Sequence, residues 1–496
     1  MLHRRIPVLV CAVAAVVSFT CAATSFVHGP YCGAPDEGSI TISWQSADPV
    51  PARVEYGPLS EFEASGRFTH SVDVPLPEDA PDTFHVVLDG LPLDSECVYR
   101  VVLLDGDAAN ISPMGFFCTE PPPGETVSFF VLADTQQQLE GVNRLELVAD
   151  AIAADPLNVD FILHAGDVVE SPSEYYWDDW FASFDDMLMR APFIPVLGNH
   201  EKNHRSYYRT FELPPGEGRD DERWWALHWG DVVVVGLDTN VKSALDIAAQ
   251  QDWAREHLAG PEPHKFVIFH HPVFSSDPYH GTGFFFDTIY HPIFVEMDVD
   301  IVFNGHSHHY EHIVRDGVTY MVIGGGGATP RQTTPEHIQG SDVSVEGHLF
   351  YVRVTAWNNG VDVETVSVAR EIGSTDVVMD ARVLDSFDML LSGAPRRHRS
   401  CCSRSSSSSP CCRCRSRKSA FTTNRLRGII HRFEASYEAA SAHSVCAWPP
   451  ALSCGRRGER TWGCGAASAG NVPPIGGEVR RGRSACCGAD FAPVGW

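Results

Sequence analysis

The chain has 496 residues, of which 44% are hydrophobic and 20% are charged. This length and apolar content predict two or three folded domains and exclude a wholly disordered protein. Lysine and arginine number 37 against 64 aspartates and glutamates, which gives a net charge of -27 at pH 7. Residues 1–394 alone hold 20 basic and 59 acidic residues. Because so acidic a body repels nucleic acid at long range, we expect no nucleic-acid partner.

The N-terminal segment is apolar and uncharged after its first few residues. No charged residue occurs from Ile6 to Val27, and the small residues Cys21–Ala23 offer a cleavage site. This pattern is typical of a secretory signal peptide; a retained membrane anchor is the alternative, because the run is long enough to span a bilayer. We therefore expect residues 1–23 to be removed and the mature protein to be secreted without a membrane span.

Residues 30–120 predict a small β-sandwich. Hydrophobic and polar residues alternate with period two between turn signals, and no helical period occurs. The predicted strands are Ile40–Trp44, Ala52–Gly57, Phe84–Leu88, Val98–Val102 and Phe116–Thr119. Many short strands at this spacing are typical of an all-β sandwich.

Two cysteines of this region, Cys97 and Cys118, leave two interpretations open. In an oxidising compartment they could form a disulfide. Alternatively, both are simply buried small apolar residues.

Residues 121–126 form a predicted linker that begins with Pro121–Pro123.

A second domain is predicted at residues 127–370. There, apolar runs alternate with helix-like stretches. The predicted strands are Val127–Ala133, Phe161–His164, Phe193–Leu197, Val232–Leu237, Phe266–Phe269 and Ile301–Asn304; the predicted helices are Leu145–Ala154, Ala244–Ala259 and Pro292–Met297. Buried strands that alternate with amphipathic helices predict an α/β layered domain. Active sites of such domains lie at the carboxyl ends of the strands.

Residues 395–496 have a different composition, rich in arginine, serine and cysteine. They hold 17 basic and 5 acidic residues and ten of the 15 cysteines. Because no apolar period is sustained there, we expect a disordered extension. A metal-binding cysteine tract and an electrostatic anchor to an acidic surface are the alternatives.

Candidate metal ligands follow five of the predicted strands. In chain order they are Asp134, Asp167, Asn199 with His200, His270, and His306 with His308. A carboxylate that bridges two cations about 4 Å apart, completed by imidazoles and an amide oxygen, suits borderline-to-hard divalent metals. Two such ions hold a phosphoryl group and lower the pKa of a bound water. The chemistry predicted for this set is therefore phosphoester hydrolysis.

The order of these motifs resembles the calcineurin-like metallophosphoesterase superfamily. The motifs are Asp-Thr-Gln at 134–136, Gly-Asp at 166–167, Gly-Asn-His-Glu at 198–201, His-His-Pro at 270–272 and Gly-His-Ser-His at 305–308. The preceding sandwich resembles a fibronectin type III domain, which makes the chain similar to members related to the purple acid phosphatases. The resemblance implies an α/β/β/α four-layer catalytic domain.

The resemblance also implies which residues hold two metal ions. One ion would be bound by Asp134, Asp167 and His308, and the other by Asp167, Asn199, His270 and His306, so that Asp167 bridges. The implied metals are iron, manganese or zinc.

Two histidines are implied to act on the substrate. His200 would contact the phosphate or its leaving oxygen. His280, ten residues after His270, resembles a substrate-facing histidine of the plant enzymes and is a candidate general acid. The alternative for His280 is a solvent-facing residue of a loop. His271 is expected to support the site from outside the metal shell or to pack.

Two positions depart from the family pattern. Many members have Asp-x-His at the first motif, but position 136 is Gln136, which offers at best a weak amide-oxygen ligand. Purple acid phosphatases have a tyrosine three residues after the second-motif aspartate, whereas this chain has Glu170. We therefore expect a colourless enzyme. Glu170 is expected to be an exposed carboxylate, with coordination or proton acceptance as the alternative.

Together these features predict an exported phosphoesterase with two metal ions, which hydrolyses phosphomonoesters through a metal-bound hydroxide. Its substrate would be a phosphorylated small molecule or a phosphoprotein. Two alternatives stay open: a phosphodiesterase of the same fold, and a catalytically silent binding or adhesion protein that has lost its first metal site through Gln136.

Overall fold

The computed structural model describes residues 24–391 except 79–80, 106–107, 138–142, 219–221, 282–284 and 372–375. The predicted signal peptide at 1–23 and the tail at 395–496 lie outside the described residues. Within the described part, no helix has the length and apolar content needed to cross a bilayer.

Residues 26–118 form a β-sandwich of two antiparallel sheets. Its strands are β1 Phe26–Asp36, β2 Ser39–Ser46, β3 Ala52–Pro58, β4 His70–Val74, β5 Thr83–Leu88, β6 Glu96–Asp105, β7 Ala108–Ile111 and β8 Gly115–Cys118. One sheet has the order β1-β2-β5, and the other has the order β4-β3-β6-β7, with β8 also paired to β6. Trp44 and Phe84 stack in the core, with ring centroids 5.3 Å apart. The likeness of this sandwich to a fibronectin type III domain stays a prediction.

The sequence predicted an all-β sandwich, but the domain also contains a helix. This helix, α1 (Leu59–Ser65), follows β3. Leu59 and Phe62 are its buried residues, and Gly66 ends it in a left-handed conformation with φ 69°. A helix of seven residues shows only one apolar i, i+3 pair, so it carries too little periodicity to be recognised in the sequence.

Cys97 and Cys118 are not joined by a disulfide. In the pairing of β6 with β8, Cys97 lies opposite Phe117 and Glu96 lies opposite Cys118. Because neighbouring residues of a strand point to opposite faces of the sheet, the two sulfur atoms lie on different faces. Cys97 is 1% exposed and belongs to the sandwich core, whereas the Cys118 sulfur is 3.9 Å from Asn158 Nδ2. The structure therefore agrees with burial and not with a disulfide, and it does so for Cys97 only, because Cys118 is half-buried.

The rest of the described chain forms a second, larger domain. Its strands are β9 Val127–Leu132, β10 Phe161–His164, β11 Phe193–Pro195, β12 Gly216–Glu217, β13 Trp224–Trp229, β14 Val232–Gly236, β15 His264–Phe269, β16 Ile301–Asn304, β17 Tyr310–Arg315, β18 Val318–Ile323, β19 Ser341–Val345, β20 His348–Trp357, β21 Gly360–Glu371 and β22 Val377–Leu390. Its helices are α2 Arg144–Ala153, α3 Glu174–Leu188, α4 Arg205–Thr210, α5 Ala244–Leu258, α6 Phe286–Ile289 and α7 His291–Glu296.

These strands form two sheets. The first has the order β11-β10-β9-β20-β21-β22, and the second has the order β12-β13-β14-β15-β16-β18-β17-β19. β9, β10 and β11 are parallel to one another, as are β14, β15, β16 and β18. Parallel neighbours place the carboxyl ends of successive strands at one edge of each sheet.

The two sheets pack face to face, with helices on both outer sides. In β15, Phe266 and Ile268 face the core shared with the first sheet, while Val267 and Phe269 face the core shared with α5 and α7. Phe266 packs edge-on against Phe129 of the first sheet, with centroids 5.4 Å apart. α2 and α3 cover the other side of the first sheet. The predicted α/β/β/α four-layer fold is therefore confirmed, and burial on both faces explains why these strands are continuously apolar.

The first sheet continues beyond residue 370, where the sequence predicted the domain to end. β22 pairs antiparallel with β21 along most of its length. Val378, Met379 and Val383 of this strand are 45%, 60% and 48% exposed. A strand at the edge of a sheet, exposed on part of its surface, lacks the apolar run that marks the inner strands.

The arrangement of the two cysteines can be tested by substitution. Cys97→Ser places a hydroxyl in the sandwich core and should lower the free energy of unfolding by about 1–3 kcal/mol. Cys118→Ala should change it by less than about 0.5 kcal/mol, because that site is only half-buried. Urea unfolding with and without reductant measures both values. Equal losses that vanish under reductant would show instead that the two sulfurs are bonded.

Candidate metal centre

The ends of five parallel strands bring all of the predicted site residues together. β9, β10 and β11 of the first sheet and β15 and β16 of the second sheet each lead into a short loop at the same edge. These loops carry Asp134, Gln136, Asp167, Asn199, His200, His270, His306 and His308. The loops are also joined to one another, since Asp134 N donates to Gly166 O (3.1 Å) and Gly305 N donates to His270 O (2.9 Å).

Three of the predicted ligands lie in the left-handed region of the backbone. Asp134, Asp167 and His306 have φ of 58°, 56° and 69°. A residue with a Cβ rarely adopts this conformation, and it persists only where the surrounding contacts enforce it. Such turns aim the three side chains back across the ends of the strands and toward one another.

Two glycines make this convergence possible. A Cβ on Gly198 would overlap the backbone nitrogen and Oδ1 of Asp167, and a Cβ on Gly305 would press against Asp134 Oδ2. The backbone therefore passes directly over each carboxylate. Both glycines occur in motifs that the sequence singled out, and the structure gives their physical reason.

Asp167, His270 and His306 form the tightest part of the site. One potential ligand atom from each lies within 4.8 Å of the others. His270 Nε2 is 3.0 Å from Asp167 Oδ2 and 3.1 Å from Asn199 Oδ1. A carboxylate, an amide oxygen and two imidazoles thus face one small space, which is a suitable donor set for a transition-metal ion.

The orientation of His270 is fixed from behind. Its Nδ1 donates to Ala165 O at 2.8 Å, so Nε2 is the nitrogen that faces the site. Burial lowers the pKa of His270, but the Asp167 carboxylate outweighs burial and raises it to about 9. Burial and the charge of His270 together lower the pKa of His306 far below its usual value. The site therefore holds imidazoles that differ strongly in proton affinity.

Asp134 and His308 form the second part of the site. His308 Nε2 lies 3.5 Å from Asp134 Oδ1. His308 Nδ1 donates to Thr329 O at 2.8 Å, so that Nε2 is again the nitrogen that faces inward. Both carboxylate oxygens of Asp134 also accept from the backbone nitrogen of His306, at 3.0 and 2.9 Å.

Gln136 joins the two parts. Its Nε2 donates to Asp167 Oδ2 (3.3 Å) and lies 3.4 Å from His308 Nε2. Its Oε1 is buried and has no hydrogen-bond partner among the described residues. Rotation about the last side-chain bond exchanges nitrogen and oxygen, so this position can present an oxygen to a cation beside Asp167 and His308.

These residues fit two metal ions. The donors are those that iron, manganese and zinc accept, two imidazoles are oriented by backbone carbonyls, and a buried amide oxygen is left without a partner. Asp167 lies between the two parts and is 1% exposed.

His200 faces the same space. Its backbone nitrogen donates to Asp167 Oδ1 (2.8 Å), and its Nδ1 donates to Glu170 O (2.7 Å). Nε2 lies 3.8 Å from Asp167 Oδ2 in a side chain that is 31% exposed. Although burial lowers the pKa of His200, the Asp167 carboxylate raises it above its usual value. His200 can therefore donate a hydrogen bond to an anion at the mouth of the site.

Glu170 is not the exposed carboxylate that the sequence predicted. Its side chain is 23% exposed, and Oε2 lies 3.8 Å from His200 Nδ1. The backbone carbonyl of the same residue holds that nitrogen. Glu170 therefore acts on the orientation of His200.

His280 lies against the site and is partly exposed to solvent. Its ring centroid is 4.5 Å from that of His306, and its carbonyl accepts from Ser307 Oγ at 2.6 Å. Burial and then the Arg331 guanidinium lower its pKa. The neighbouring His271 packs on His306, with centroids 4.5 Å apart, and contacts Thr239 Oγ1 through Nδ1 (2.8 Å).

Sequence reasoning missed three residues that shape the site. Glu201, 0% exposed, accepts from the backbone nitrogens of Gly198 and Asp167 at 2.7 and 3.1 Å and so clamps their loops together. Burial and the Asp167 charge raise its pKa to about 7. Arg331 follows the glycine-rich segment 324–327 and lies beside His308. Two features of the sequence could have indicated these residues: Glu201 belongs to the third motif, and Arg331 is a basic residue in an acidic body.

Glu311 is the third of these residues and supports the loop that carries His280. This buried carboxylate accepts from the Ser276 backbone nitrogen (2.8 Å), Ser276 Oγ (2.6 Å) and Ser341 Oγ (2.6 Å). Although burial alone raises the pKa of Glu311, these hydrogen bonds and His309 lower it to about 2.

Comparisons with known proteins agree with this geometry. Residues 127–310 match the family model of the calcineurin-like phosphoesterases. The phosphoenolpyruvate phosphatase of Allium cepa is 24% identical over 332 residues, which cover 62% of this chain and 67% of that protein. The Fe(3+)-Zn(2+) purple acid phosphatase 12 of Arabidopsis thaliana is 22% identical over 267 residues, so the chain spans only 54% of that relative. The solved structure of purple acid phosphatase PPD1 from yellow lupin (Lupinus luteus) seeds has a TM-score of 0.61 at 18% identity, with 74% of each chain covered. This last likeness shows a shared fold.

Gly198→Ala tests the close passage of the backbone over Asp167. The new Cβ must displace the Asp167 carboxylate, so the affinity for zinc should fall at least about tenfold. Isothermal titration calorimetry measures this affinity. Gly66→Ala is the control: nothing lies within 4 Å of that position, and the strain from its left-handed φ of 69° falls on the end of α1 in the sandwich, away from the site. Unchanged zinc affinity in Gly198→Ala would contradict the geometry.

Glu311→Gln tests the support of the His280 loop. The amide places N–H donors against the donors of Ser276 and Ser341, so the free energy of unfolding should fall by about 2–3 kcal/mol at pH 7. The folded-state pKa of Glu311 is lowered from 4.5 to about 2. The stability it contributes is therefore present above pH 4.5 and is lost as the pH falls toward 2. The difference between wild type and variant should shrink over this range in urea titrations, and a constant difference would contradict this role.

Proposed function

Because the chain carries a calcineurin-like phosphoesterase domain over residues 127–310, we propose that it is a dinuclear-metal phosphoesterase that hydrolyses phosphomonoesters. The observation that carries the proposal is the position of Asp167. Its Oδ2 lies 3.0 Å from His270 Nε2 on one side and 3.3 Å from Gln136 Nε2 on the other. A single buried carboxylate is thus shared by two sets of ligands.

One metal ion would be held by Asp134, Asp167 and His308, with Gln136 beside it. The other would be held by Asp167, Asn199, His270 and His306. When bound, the two ions would supply the positive charge that holds a phosphoryl group and would promote the ionisation of water. The name of the Arabidopsis relative gives Fe(3+) and Zn(2+) for that protein, and we propose iron, manganese or zinc here. Because Glu170 replaces the tyrosine of the purple enzymes, the loaded protein should be colourless.

The substrate-facing residues favour a monoester. A terminal phosphate has three non-bridging oxygens, and His200 beside Asp167 and His280 beside His306 would add donors to the charge of the metals. His200 Nδ1 is held by Glu170 O, so its Nε2 faces the phosphate. His280, held by Ser307, would protonate the leaving oxygen.

We propose that the substrate is a phosphorylated small molecule or a phosphoprotein and that the protein works outside the cytoplasm. The apolar N-terminal segment is the support for export. The acidic body disfavours nucleic-acid substrates.

Hydrolysis of two chromogenic esters tests the proposal. The purified protein, supplied with manganese, zinc or iron, should hydrolyse para-nitrophenyl phosphate faster than bis-para-nitrophenyl phosphate. Asp167→Asn should lower kcat/KM at least about a hundredfold, because it removes the shared carboxylate. Asp252→Asn is the matched control, since that side chain is 87% exposed.

Metal content separates the enzyme from a silent binding protein. Wild type should hold two ions per chain by mass spectrometry of the acid-digested protein. Fewer than two ions, together with no hydrolysis of either ester, would favour the silent protein and make Gln136 the cause. Faster hydrolysis of the diester would identify a phosphodiesterase.

A further inference from the structure

Arg331 lies next to the metal centre and is held there by its backbone. It follows β18 and the glycine-rich segment 324–327, and its backbone nitrogen donates to His308 O at 2.8 Å. Its side chain is partly exposed. Nε lies 3.4 Å from His308 Nδ1.

This contact does not satisfy the guanidinium. His308 Nδ1 carries a proton, because it donates to Thr329 O at 2.8 Å. His308 Nε2 faces Asp134 and is the nitrogen available to a metal. An N–H of Arg331 therefore meets another N–H and finds no acceptor on the ring.

The guanidinium of Arg331 has no carboxylate partner in the described part of the chain. Among the described residues, no carboxylate oxygen lies within the 4.0 Å of an ion pair from its guanidinium. Several other arginines are paired at short distance, for example Arg100 with Glu55 (2.6 Å), Arg144 with Glu371 (2.7 Å) and Arg223 with Asp238 (2.7 Å). Arg331 differs from the described arginines that form no ion pair in lying beside a candidate metal ligand. In a body with 20 basic and 59 acidic residues, a cation without an acidic partner beside the active site is available for an external anion.

Arg331 approaches the site from the outer side of His308. Its Nε lies 3.4 Å from His308 Nδ1, so the imidazole ring lies between this Nε and His308 Nε2, the nitrogen available to a metal. The phosphoryl group already has the metals, His200 and His280 as partners. A guanidinium presents a planar fork of donors that matches a carboxylate or a phosphate.

We infer that Arg331 forms a subsite for a second anionic group of the substrate. The preferred substrates are then phosphate esters or phosphoanhydrides that carry a carboxylate or another phosphate close to the bond that is cleaved. This inference rests on the proposed phosphoesterase function.

Hydrolysis by the metal-loaded full chain tests the subsite. The substrates are phosphoenolpyruvate, which carries a carboxylate, pyrophosphate, which carries a second phosphate, and para-nitrophenyl phosphate, which carries neither. Arg331→Gln should lower kcat/KM at least tenfold for one or both of the first two substrates and less than threefold for the third. The substrate that is affected identifies the second group. Arg331→Lys should recover part of the loss, and Arg255→Gln, a surface arginine paired with Glu296, should change none of the three.

Binding without turnover gives a second readout. Phosphonoacetate combines a phosphonate with a carboxylate, methylenediphosphonate combines two phosphonates, and methylphosphonate has one phosphonate alone. In calorimetric titrations of the zinc-loaded protein, Arg331→Gln should weaken binding of at least one of the first two at least tenfold and leave methylphosphonate within threefold. The comparison of wild type with variant removes the part of the affinity that comes from chelation of zinc.

The outcomes distinguish this inference from the proposed function. Selective loss of binding in a protein that hydrolyses none of the esters would support the anion subsite and overturn the phosphoesterase. Hydrolysis of all esters with equal loss in Arg331→Gln would assign Arg331 to the phosphoryl group and overturn the subsite. No effect of Arg331→Gln on any substrate or ligand would also overturn it.

Discussion

The burial of Asp167 is the constraint on which the rest of the site depends. This carboxylate is 1% exposed, and the equally buried Glu201 holds the same pair of loops. Two carboxylates removed from water repel each other and lose hydration, which is why the pKa of Glu201 rises to about 7. The hydrogen bond from the His200 backbone nitrogen and the contact with the His270 imidazole offset part of the free-energy cost of burying Asp167. A bound divalent cation would offset the remaining cost of burying these two carboxylates.

The loops around Asp167 are held by contacts far from the candidate metal ligands. The segment after His200 leads into α4, and the β-sandwich grips this helix and its end. Tyr31 OH donates to Thr210 O, His85 Nε2 donates to Arg209 O (3.0 Å), and Ala34 N donates to Glu212 O (2.8 Å). The sandwich therefore acts as a support for the loop that carries Asn199 and His200. The sandwich acts on the site only through α4 and the residues that follow it, since none of these contacts reaches the ligands themselves.

The inner strands and the ligand order could be predicted because both rest on local chemistry. Strands buried on two faces must be continuously apolar, and polar residues that follow them fall at one edge of a parallel sheet. α3 was missed although Trp177, Trp180, Phe181 and Phe184 recur at helical spacing, because acidic residues between them obscure the pattern. The faces of Cys97 and Cys118 depend on strand register, which spacing alone does not fix. Arg331 lies in the long connection between β18 and β19. No local sequence pattern predicts that the fold places this connection beside the site.

The negative charge of the protein and the cationic groups near the site have opposite effects on the approach of an anion. The net charge is -27, so the body repels a phosphorylated substrate, but salt screens this repulsion at distances greater than the Debye length of about 10 Å at 0.1 M salt. Closer in, the field is that of the nearest groups. The imidazoles of His200 and His270 have raised pKa values, and Arg331 adds a permanent charge on the outer side of His308. A second anionic group on the substrate strengthens the attraction to Arg331 but also the long-range repulsion by the body. Such a substrate is favoured only where one anionic group can bind at the metal centre while the other binds Arg331. The two groups must then be separated by about the width of the His308 ring, which lies between these two positions.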